Sequence, residues 1–367
     1  MRLTWLELSD VRCYETVRFT PAAGANVLIG DNGSGKTTLL EAIGYLATLR
    51  SFRRAPDTSL VRAGAEGAVI RGEFLRGRSP VRIEVEIPVE GRRRVLLNGK
   101  RPRGRAALVA EVPLVAFLPD DLDLVKRGPA LRREFLDDTA AGLRPTVAGD
   151  QDGYERALRQ RNTLLRQSGR SADPVTLDVW DERLAVLGSG VVAARLDVLD
   201  AVMPALSSVV EDLGGGAAAI GHHYEGAGLG RVEPGTGRDA LEERLGAALA
   251  AARRVDLERR TTTVGPHRDE VVFIMGGRDV RTRASQGEQR SVALGLRVAA
   301  FESLAKRGEI PVLLLDDVFS ELDEGRSDRL VQRLPDGQVF ITSARDDEVP
   351  LVGARWRVGA AGVEAAP

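Results

Sequence analysis

The chain has 367 residues, 43% of them apolar, which is enough for a substantial core and leaves room for two domains. Lysine plus arginine number 52 against 53 aspartate plus glutamate, so bulk charge points to neither nucleic acid nor a membrane surface. The single cysteine, Cys13, excludes an intramolecular disulfide and a cysteine-rich zinc site, and no apolar run approaches membrane-spanning length, so a reducing cytoplasm is the expected location. The first fifteen residues, MRLTWLELSDVRCYE, are amphipathic and acidic, unlike a secretory leader.

In chain order, the first informative stretch is VLIGDNGSGKTTLLEAI at 27–43. Val27, Leu28 and Ile29 predict a short buried strand, and Gly30, Asp31, Asn32, Gly33, Ser34 and Gly35 a tight loop. From Lys36 onward Leu39, Leu40, Ile43, Leu46 and Leu49 mark one apolar helical stripe. A glycine-rich loop that opens a helix turns backbone N–H groups and the positive helix end toward an anion. All positions of G-x-x-x-x-G-K-[ST] are filled: Lys36 is expected at the β- and γ-phosphates, Thr37 at Mg²⁺, and Thr38 completes the nucleotide-binding set that begins at Gly30. An ordinary turn before a helix is the bland alternative, and the flanking strand and helix weigh against it.

Arg50, Arg53 and Arg54 follow this helix. Strands with turns then run to about residue 118, including VRIEVEIPVE at 81–90 and a hairpin turn at Asn98-Gly99. Around that hairpin cluster Arg92, Arg93, Arg94, Lys100, Arg101, Arg103 and Arg105. Together with Arg50, Arg53 and Arg54 they form a candidate DNA-backbone contact, the alternative being a solvated surface. Few aromatics interleave, which favours duplex over stacked single strands. Residues 119–260 predict a helical insertion, with a turn cluster at EGAGLG and no sustained heptads. His222 and His223 fall in a glycine-rich loop without metal-ligand company. His267 and Arg268, after Pro266, either contact nucleotide or a partner chain, or shape a turn.

ASQGEQRSVALGLRVAAFESLA at 284–305 predicts a second helix whose N-terminus, Ser285, Gln286, Gly287, Glu288 and Gln289, can cradle a phosphate or simply form a capping box. Two cradles for one nucleotide imply pairing between chains. VLLLD at 312–316 predicts a buried strand that delivers Asp316 to the metal and Asp317 to the attacking water, followed by SELD at 320–323. The tail GAAGVEAAP is expected to fray.

Ser285 to Gln289 resembles the signature of ABC-type ATPases. More specifically, RSFR at 50–53, FLPDDLDLVK at 117–126, RREFLD at 132–137, QRN at 160–162, TTTVGPHRDE at 261–270, SQGEQR at 285–290, LLLDDVFSELD at 313–323 and GQVFITSA at 337–344 together resemble the RecF family of bacterial recombination mediators. The resemblance implies an α/β fold: an ABC-type, SMC-like P-loop ATPase head with a β-rich lobe, here 1–118 with 261–367, and a helical insertion lobe at 119–260 without a long coiled coil. It implies ATP and Mg²⁺ as cofactors and Lys36, Asp316, Asp317 and Ser285 as catalytic residues. It further implies an ATP-induced homodimer on double-stranded DNA at ss/dsDNA gap junctions, which acts with RecO and RecR to load RecA and supports replication and the SOS response. The expected activity is a weak, DNA-stimulated ATPase. Three departures stand out. No glutamine occurs in residues 1–150, leaving Asp120 or Asp121 at the Gln-loop place; QVFITSA lacks the switch histidine, leaving Thr342 or Ser343; and Asp317 stands for the usual Glu. The first bears on metal sensing, and the shorter base with the absent histidine suggests slow hydrolysis. A transporter ATPase subunit and another P-loop kinase or GTPase are the alternatives; no N-K-x-D guanine motif is present.

Overall fold

The computed structural model describes residues 1–53, 55–213, 219–334, 336–359 and 362–366, apart from the side chains of Asp120, Arg170 and Glu321. Its elements in chain order begin with β1 (Arg2–Val11), β2 (Tyr14–Phe19), β3 (Ala25–Ile29), α1 (Lys36–Thr48), β4 (Gly67–Arg76), β5 (Ser79–Pro88), β6 (Arg94–Leu97), α2 (Arg105–Glu111) and β7 (Leu114–Phe117). Next come α3 (Leu122–Lys126), α4 (Pro129–Leu143), α5 (Ala148–Ser168), α6 (Pro174–Asp212), β8 (Ile220–Gly226), β9 (Gly230–Val232), α7 (Arg238–Arg259), β10 (Glu270–Met275), β11 (Arg278–Asp279), α8 (Val280–Arg283) and α9 (Gln286–Ala305). The chain closes with β12 (Val312–Asp316), α10 (Glu324–Arg333), β13 (Val339–Ser343), β14 (Ala354–Gly359) and β15 (Gly362–Ala365).

Two compact units result: Met1–Asp121 with Asp212–Gly214 and Arg297–Pro367, and Leu122–Glu211 with Gly215–Leu296. The first unit holds two sheets. An antiparallel one has the order β2-β1-β4-β5-β6, and a mostly parallel one the order β15-β14-β3-β13-β12-β7. Between them lies α1, whose Leu39, Leu40, Ala42, Ile43, Tyr45 and Leu46 are wholly buried. A Cβ on Gly72 of β4 would lie 2.7 Å from Leu46, and one on Gly44 would lie 3.5 Å from Leu314 of β12, so α1 packs on both sheets. The expected single apolar stripe is therefore an understatement: this helix is buried all round, because sheets cover both of its faces. The buried amide of Gln338 joins the sheets, accepting from Leu3 N at 2.6 Å and donating to the carbonyls of Leu3 and Ala22 at 2.9 and 2.8 Å.

The hairpin turn stands where the sequence puts it. Asn98 and Gly99 take φ of 50° and 75°, the left-handed pair that a two-residue hairpin turn requires.

The second unit is not purely helical. Residues 220–232 form β8 and β9, which join β10 and β11 in an antiparallel sheet of order β11-β10-β8-β9. His222 and His223 accordingly lie on a strand, paired with Phe273 and Val272, and EGAGLG contains the β8–β9 turn. This pairing also explains why residues 261–296 group with 122–211, where the sequence division put 261–367 in the head: β10 is hydrogen-bonded to β8 along its whole length. Alternation was masked in GHHYEG by two histidines and by glycines at both ends.

Buried polar groups organise this unit. Arg161, fully buried, donates to Asp181 at 2.7 Å, Asp256 at 2.7 Å and Thr262 at 2.9 Å, while Asn162 accepts from Thr262 N and Oγ1 at 2.7 Å. Arg132 forms a two-pronged pair with Glu270 at 2.8 Å, and Arg195 one with Asp137 at 2.7 and 2.8 Å while donating to Pro266 O at 2.7 Å. The blocks RREFLD and QRN thus both bind TTTVGPHRDE. His267 belongs to the same structure: Tyr154 Oη lies 2.8 Å from its Nδ1, and its Nε2 lies 3.1 Å from Thr262 O, which a neutral, Nε2-protonated ring satisfies. Of the two roles the sequence left open for His267, its contacts are those of a turn-shaping residue.

Burial pushes the His267 imidazole from its ordinary 6.5 down to about 4, with a pull upward from Thr262 O and a push downward from Arg268, Arg133 and Arg195. The unfolded chain therefore binds more protons than the folded one between these values. Stability that is complete above pH 6.5 should fall as pH drops toward 4, by about 2–3 kcal/mol from this group alone. The check is the pH dependence of the unfolding free energy, in the parent and in His267→Gln. The parent should lose more than the variant across that window; parallel curves would remove His267 from the account.

Candidate nucleotide-binding site

The row Leu28, Thr342 and Asp316 runs across β3, β13 and β12 at their C-terminal ends, the edge where parallel sheets bind ligands. β13 lies between the phosphate-loop strand and the Asp316 strand, so Thr342, and not Asp316, is the immediate neighbour of β3. The loop 30–35 leaves β3 and enters α1 with Gly35 at φ 108°, left-handed and crowded: a Cβ there would lie 2.2 Å from Tyr14 Oη. Only glycine fits that position. Lys36 Nζ donates to the carbonyls of Gly30 at 2.5 Å and Asp31 at 2.9 Å. Burial lowers its pKa, and the charges of Asp317, Asp316 and Asp31 pull it back up.

A hydroxyl relay ties the two halves of the site. Asp317 N donates to Thr342 Oγ1 at 2.9 Å, Thr342 Oγ1 donates to Asp316 Oδ1 at 2.7 Å, and Thr37 Oγ1 donates to the same oxygen at 3.0 Å. Asp316 is buried, which raises its pKa; the Thr342 and Thr37 hydrogen bonds and the charge of Arg53 hold it down. Asp317 is exposed at φ 53°, a left-handed turn that aspartate tolerates better than most residues. Of the two candidate hydroxyls, Thr342 joins the site, while Ser343 Oγ donates to Glu348 at 2.7 Å.

Cys13, Asn32, Gly33, Gly35, Lys36, Thr37, Thr38, Arg53, Pro119, Asp316, Asp317, Thr342 and Ala344 line a cavity of about 320 Å³. The donor set suits a magnesium nucleotide. Ser34 Oγ is buried without a hydrogen-bond partner among the described residues and does not line the cavity. Thr37 and Asp316 together offer the hydroxyl and single carboxylate that Mg²⁺ takes beside phosphate oxygens. Asp121 does not face the metal ligands, because it accepts from Leu118 N at 2.9 Å and from Arg297 Nη2 at 2.9 Å. The side chain of Asp120 lies outside the described residues.

In the second unit, Ser285 and Glu288 form the reciprocal box: Ser285 N donates to Glu288 Oε2 at 2.7 Å and Glu288 N to Ser285 Oγ at 3.3 Å. Ser285, Gln286 and Gly287 remain exposed. Gln289 departs from the expected binding set; its amide is buried and donates to the carbonyls of Val280 and Arg281 at 2.9 and 3.0 Å.

The basic residues divide. Arg53 lines the cavity and Arg54 lies outside the described residues, while Arg50 sits half-buried just after α1. Arg93 departs from the expected DNA set, donating to Tyr45 Oη, Leu49 O and Asp57 Oδ2 at 3.0, 2.8 and 2.8 Å. Arg105 donates to Thr48 O at 2.7 Å, so both neutralise the carbonyl end of α1. Arg92, Arg94, Lys100, Arg101 and Arg103 are exposed, and Arg94 approaches Glu86 only to 3.7 Å. Sequence reading missed Arg12 and Glu41: nothing in VRCYE or LLEAI distinguishes residues whose partners lie elsewhere in the chain.

Residues 2–358 match the RecF/RecN/SMC N terminal domain family. The DNA replication and repair protein RecF of Streptomyces avermitilis is 42% identical over 99% of this chain and 100% of its own, and that of Frankia alni 42% over 98% of each. A solved structure of the recombination mediator protein RecF-ATP in the RecFOR pathway is similar at TM-score 0.90 and 28% identity, over 99% of both chains. A crystal structure of an Smc head bound to the C-terminal winged-helix domain of ScpA shares the fold, at TM-score 0.55 and 16% identity over 100% of this chain and 97% of that one.

Because Thr342 serves two partners at once, Thr342→Val should strand the Asp317 amide and strip a donor from Asp316. The expected loss is about 1–3 kcal/mol of stability, together with a higher magnesium concentration for half-maximal ATP binding, both restored by Thr342→Ser. Denaturant unfolding and magnesium titrations with ATP measure the two effects. A valine variant that matches the parent in both would dissolve the relay.

Proposed function

The chain belongs to the RecF/RecN/SMC family and, within it, to the RecF proteins; from that premise we propose that it is an ATP-dependent clamp of recombinational DNA repair. The observation that carries the reading is the relay from Thr37 through Asp316 and Thr342 to Asp317, set at the mouth of the Lys36 loop. When bound, magnesium ATP supplies the γ-phosphoryl group whose transfer to water times the clamp. Lys36 binds the β- and γ-phosphate oxygens, Thr37 and Asp316 hold the metal shell, and Asp317 orients the water. Thr342 fixes the Asp317 backbone where transporter ATPases use a histidine. With a short carboxylate and no imidazole for proton transfer, turnover is slow and stimulated by DNA.

Ser285, Gln286 and Gly287, exposed at the start of α9, meet the γ-phosphate held by a second copy of the chain, so ATP joins two heads. The dimer binds double-stranded DNA at ss/dsDNA gap junctions, with Arg92, Arg94, Lys100 and Arg101 on its backbone, and acts with RecO and RecR in loading RecA. RecF-ATP structures described in the RecFOR pathway support ATP as the cofactor and RecO and RecR as partners. A repair role of this kind belongs in the cytoplasm; among the described residues no helix is long and apolar enough to cross a membrane.

Ser285→Arg separates the shared site from a local cap. A lost cap alone costs about 1 kcal/mol and leaves ATP use intact. A site shared between two chains requires that each monomer still bind ATP through Lys36 while ATP-dependent dimerisation disappears. Light scattering with a parallel nucleotide titration measures both; a dimer that forms as in the parent would refute the shared site.

For DNA, changing Arg92, Arg94, Lys100 and Arg101 to Glu should weaken duplex binding at all sequences alike and flatten its salt dependence, since phosphate contacts carry no base information. Fluorescence anisotropy across a salt series measures this. An unchanged slope would return the cluster to solvated surface.

A further inference from the structure

Glu41 is a fully buried carboxylate on α1, one turn beyond Thr37 and on the same face. Arg12 donates to it from Nε at 2.7 Å and Nη2 at 2.9 Å, Ser51 donates from Oγ, and Arg53 Nε stands 4.0 Å away. All three partners come from segments at the rim of the nucleotide cavity: Cys13, next to Arg12, lines it, and so does Arg53, two residues after Ser51. The Arg12 segment is held in an unusual backbone. Asp10 and Arg12 take φ of 53° and 50°, pinned by Arg12 N to Leu60 O and Arg62 N to Asp10 O, each at 2.8 Å. Such strain persists only where surrounding structure enforces it, and it gathers at functional sites.

A buried ion pair is a poor way to stabilise a core, since apolar residues of similar volume often do as well or better. What distinguishes Glu41 is where its partners lead. The Arg53 side chain is 46% exposed, with Nε 4.0 Å from the buried Glu41 carboxylate, and it lines the same cavity as Asp316. We propose that Glu41 is a positioning residue for the nucleotide: through Ser51 and its own charge it anchors segment 50–53 to α1 and keeps the Arg53 guanidinium over the terminal phosphate. This rests on the reading of the cavity as a magnesium ATP site. Because α1 also carries Lys36 and Thr37, Glu41 sets all three phosphate-facing groups in one rigid frame.

The test is a double-mutant cycle in nucleotide affinity. Glu41→Gln, Arg53→Ala and the pair are titrated with magnesium ATP and with magnesium ADP, and their thermal unfolding is recorded. Glu41→Gln should weaken ATP binding about tenfold and ADP binding little, and the double variant should be no weaker than Arg53→Ala, as coupled neighbours behave. Should Glu41→Gln fail to fold, Ser51→Ala removes only the tether and should show the same ATP-selective loss, likewise absent in the Arg53→Ala background. Additive losses, or equal weakening of ATP and ADP in step with a lower Tm, would overturn the proposal by making Glu41 a core residue only. A parent that binds neither nucleotide would instead overturn the ATP reading, and this inference with it.

Discussion

The burial of α1 between two sheets is the constraint on which the site depends. Its large apolar side chains are each wholly removed from water, a contribution of about 1.5–3 kcal/mol apiece, and they contact a different sheet on either side. A helix so enclosed can neither slide nor rotate without opening voids on both faces, because a one-residue shift turns it by roughly 100°. Its N-terminus is thereby delivered at a set height above β12 and β13, with Thr37 within 3.0 Å of Asp316. At the other end, Arg93 and Arg105 satisfy carbonyls that a helix terminus leaves unpaired. The glycine-rich loop needs this rigidity, since backbone amides hold a phosphate only if the helix that begins at the loop cannot move away.

Electrostatics around that helix end run on hydroxyls in place of extra charge. Asp316 would resist ionisation in its buried setting, and two threonine hydroxyls with the nearby Arg53 charge counter that tendency. Thr342 does so while also accepting the Asp317 amide, so one hydroxyl couples the Asp316 carboxylate to the Asp317 backbone. A hydroxyl orients but does not exchange protons readily near neutral pH.

The second unit adds buried arginines to an apolar core of its own, around residues such as Leu184, Val191, Leu245 and Leu249. Arg161, Arg132 and Arg195 each take two-pronged or multiple partners, and the carboxylates they meet come from helices and from the strand β10. Such networks add little stability over apolar packing, but each demands one set of partners in one geometry. That demand holds the segment carrying Gly265 to Asp269 against α5 and α6, and through β10 the sheet from which α8 and the exposed start of α9 continue.

Local chemistry was legible in the sequence wherever function depends on neighbours along the chain. The phosphate loop, the strand ending in Asp316, the Asn98-Gly99 turn and the Ser285–Glu288 box all involve residues within about a turn or a strand of each other, and backbone periodicity exposes them. The tertiary structure alone decided what depends on distant partners. Arg93 and Arg92 are adjacent in one arginine run, yet one caps a helix and the other faces solvent, because only folding brings Tyr45, Leu49 and Asp57 to the former. Arg53 moved from a basic cluster to the nucleotide cavity, and Gln289 from a binding motif to the interior, for the same reason. The strands β8 and β9 escaped notice because glycine and histidine carry no strand signal, and it is pairing with β10 that makes them strands. A side chain's type and spacing declare what it can bind; which partner lies within 3 Å is settled by long-range packing, which no local pattern encodes.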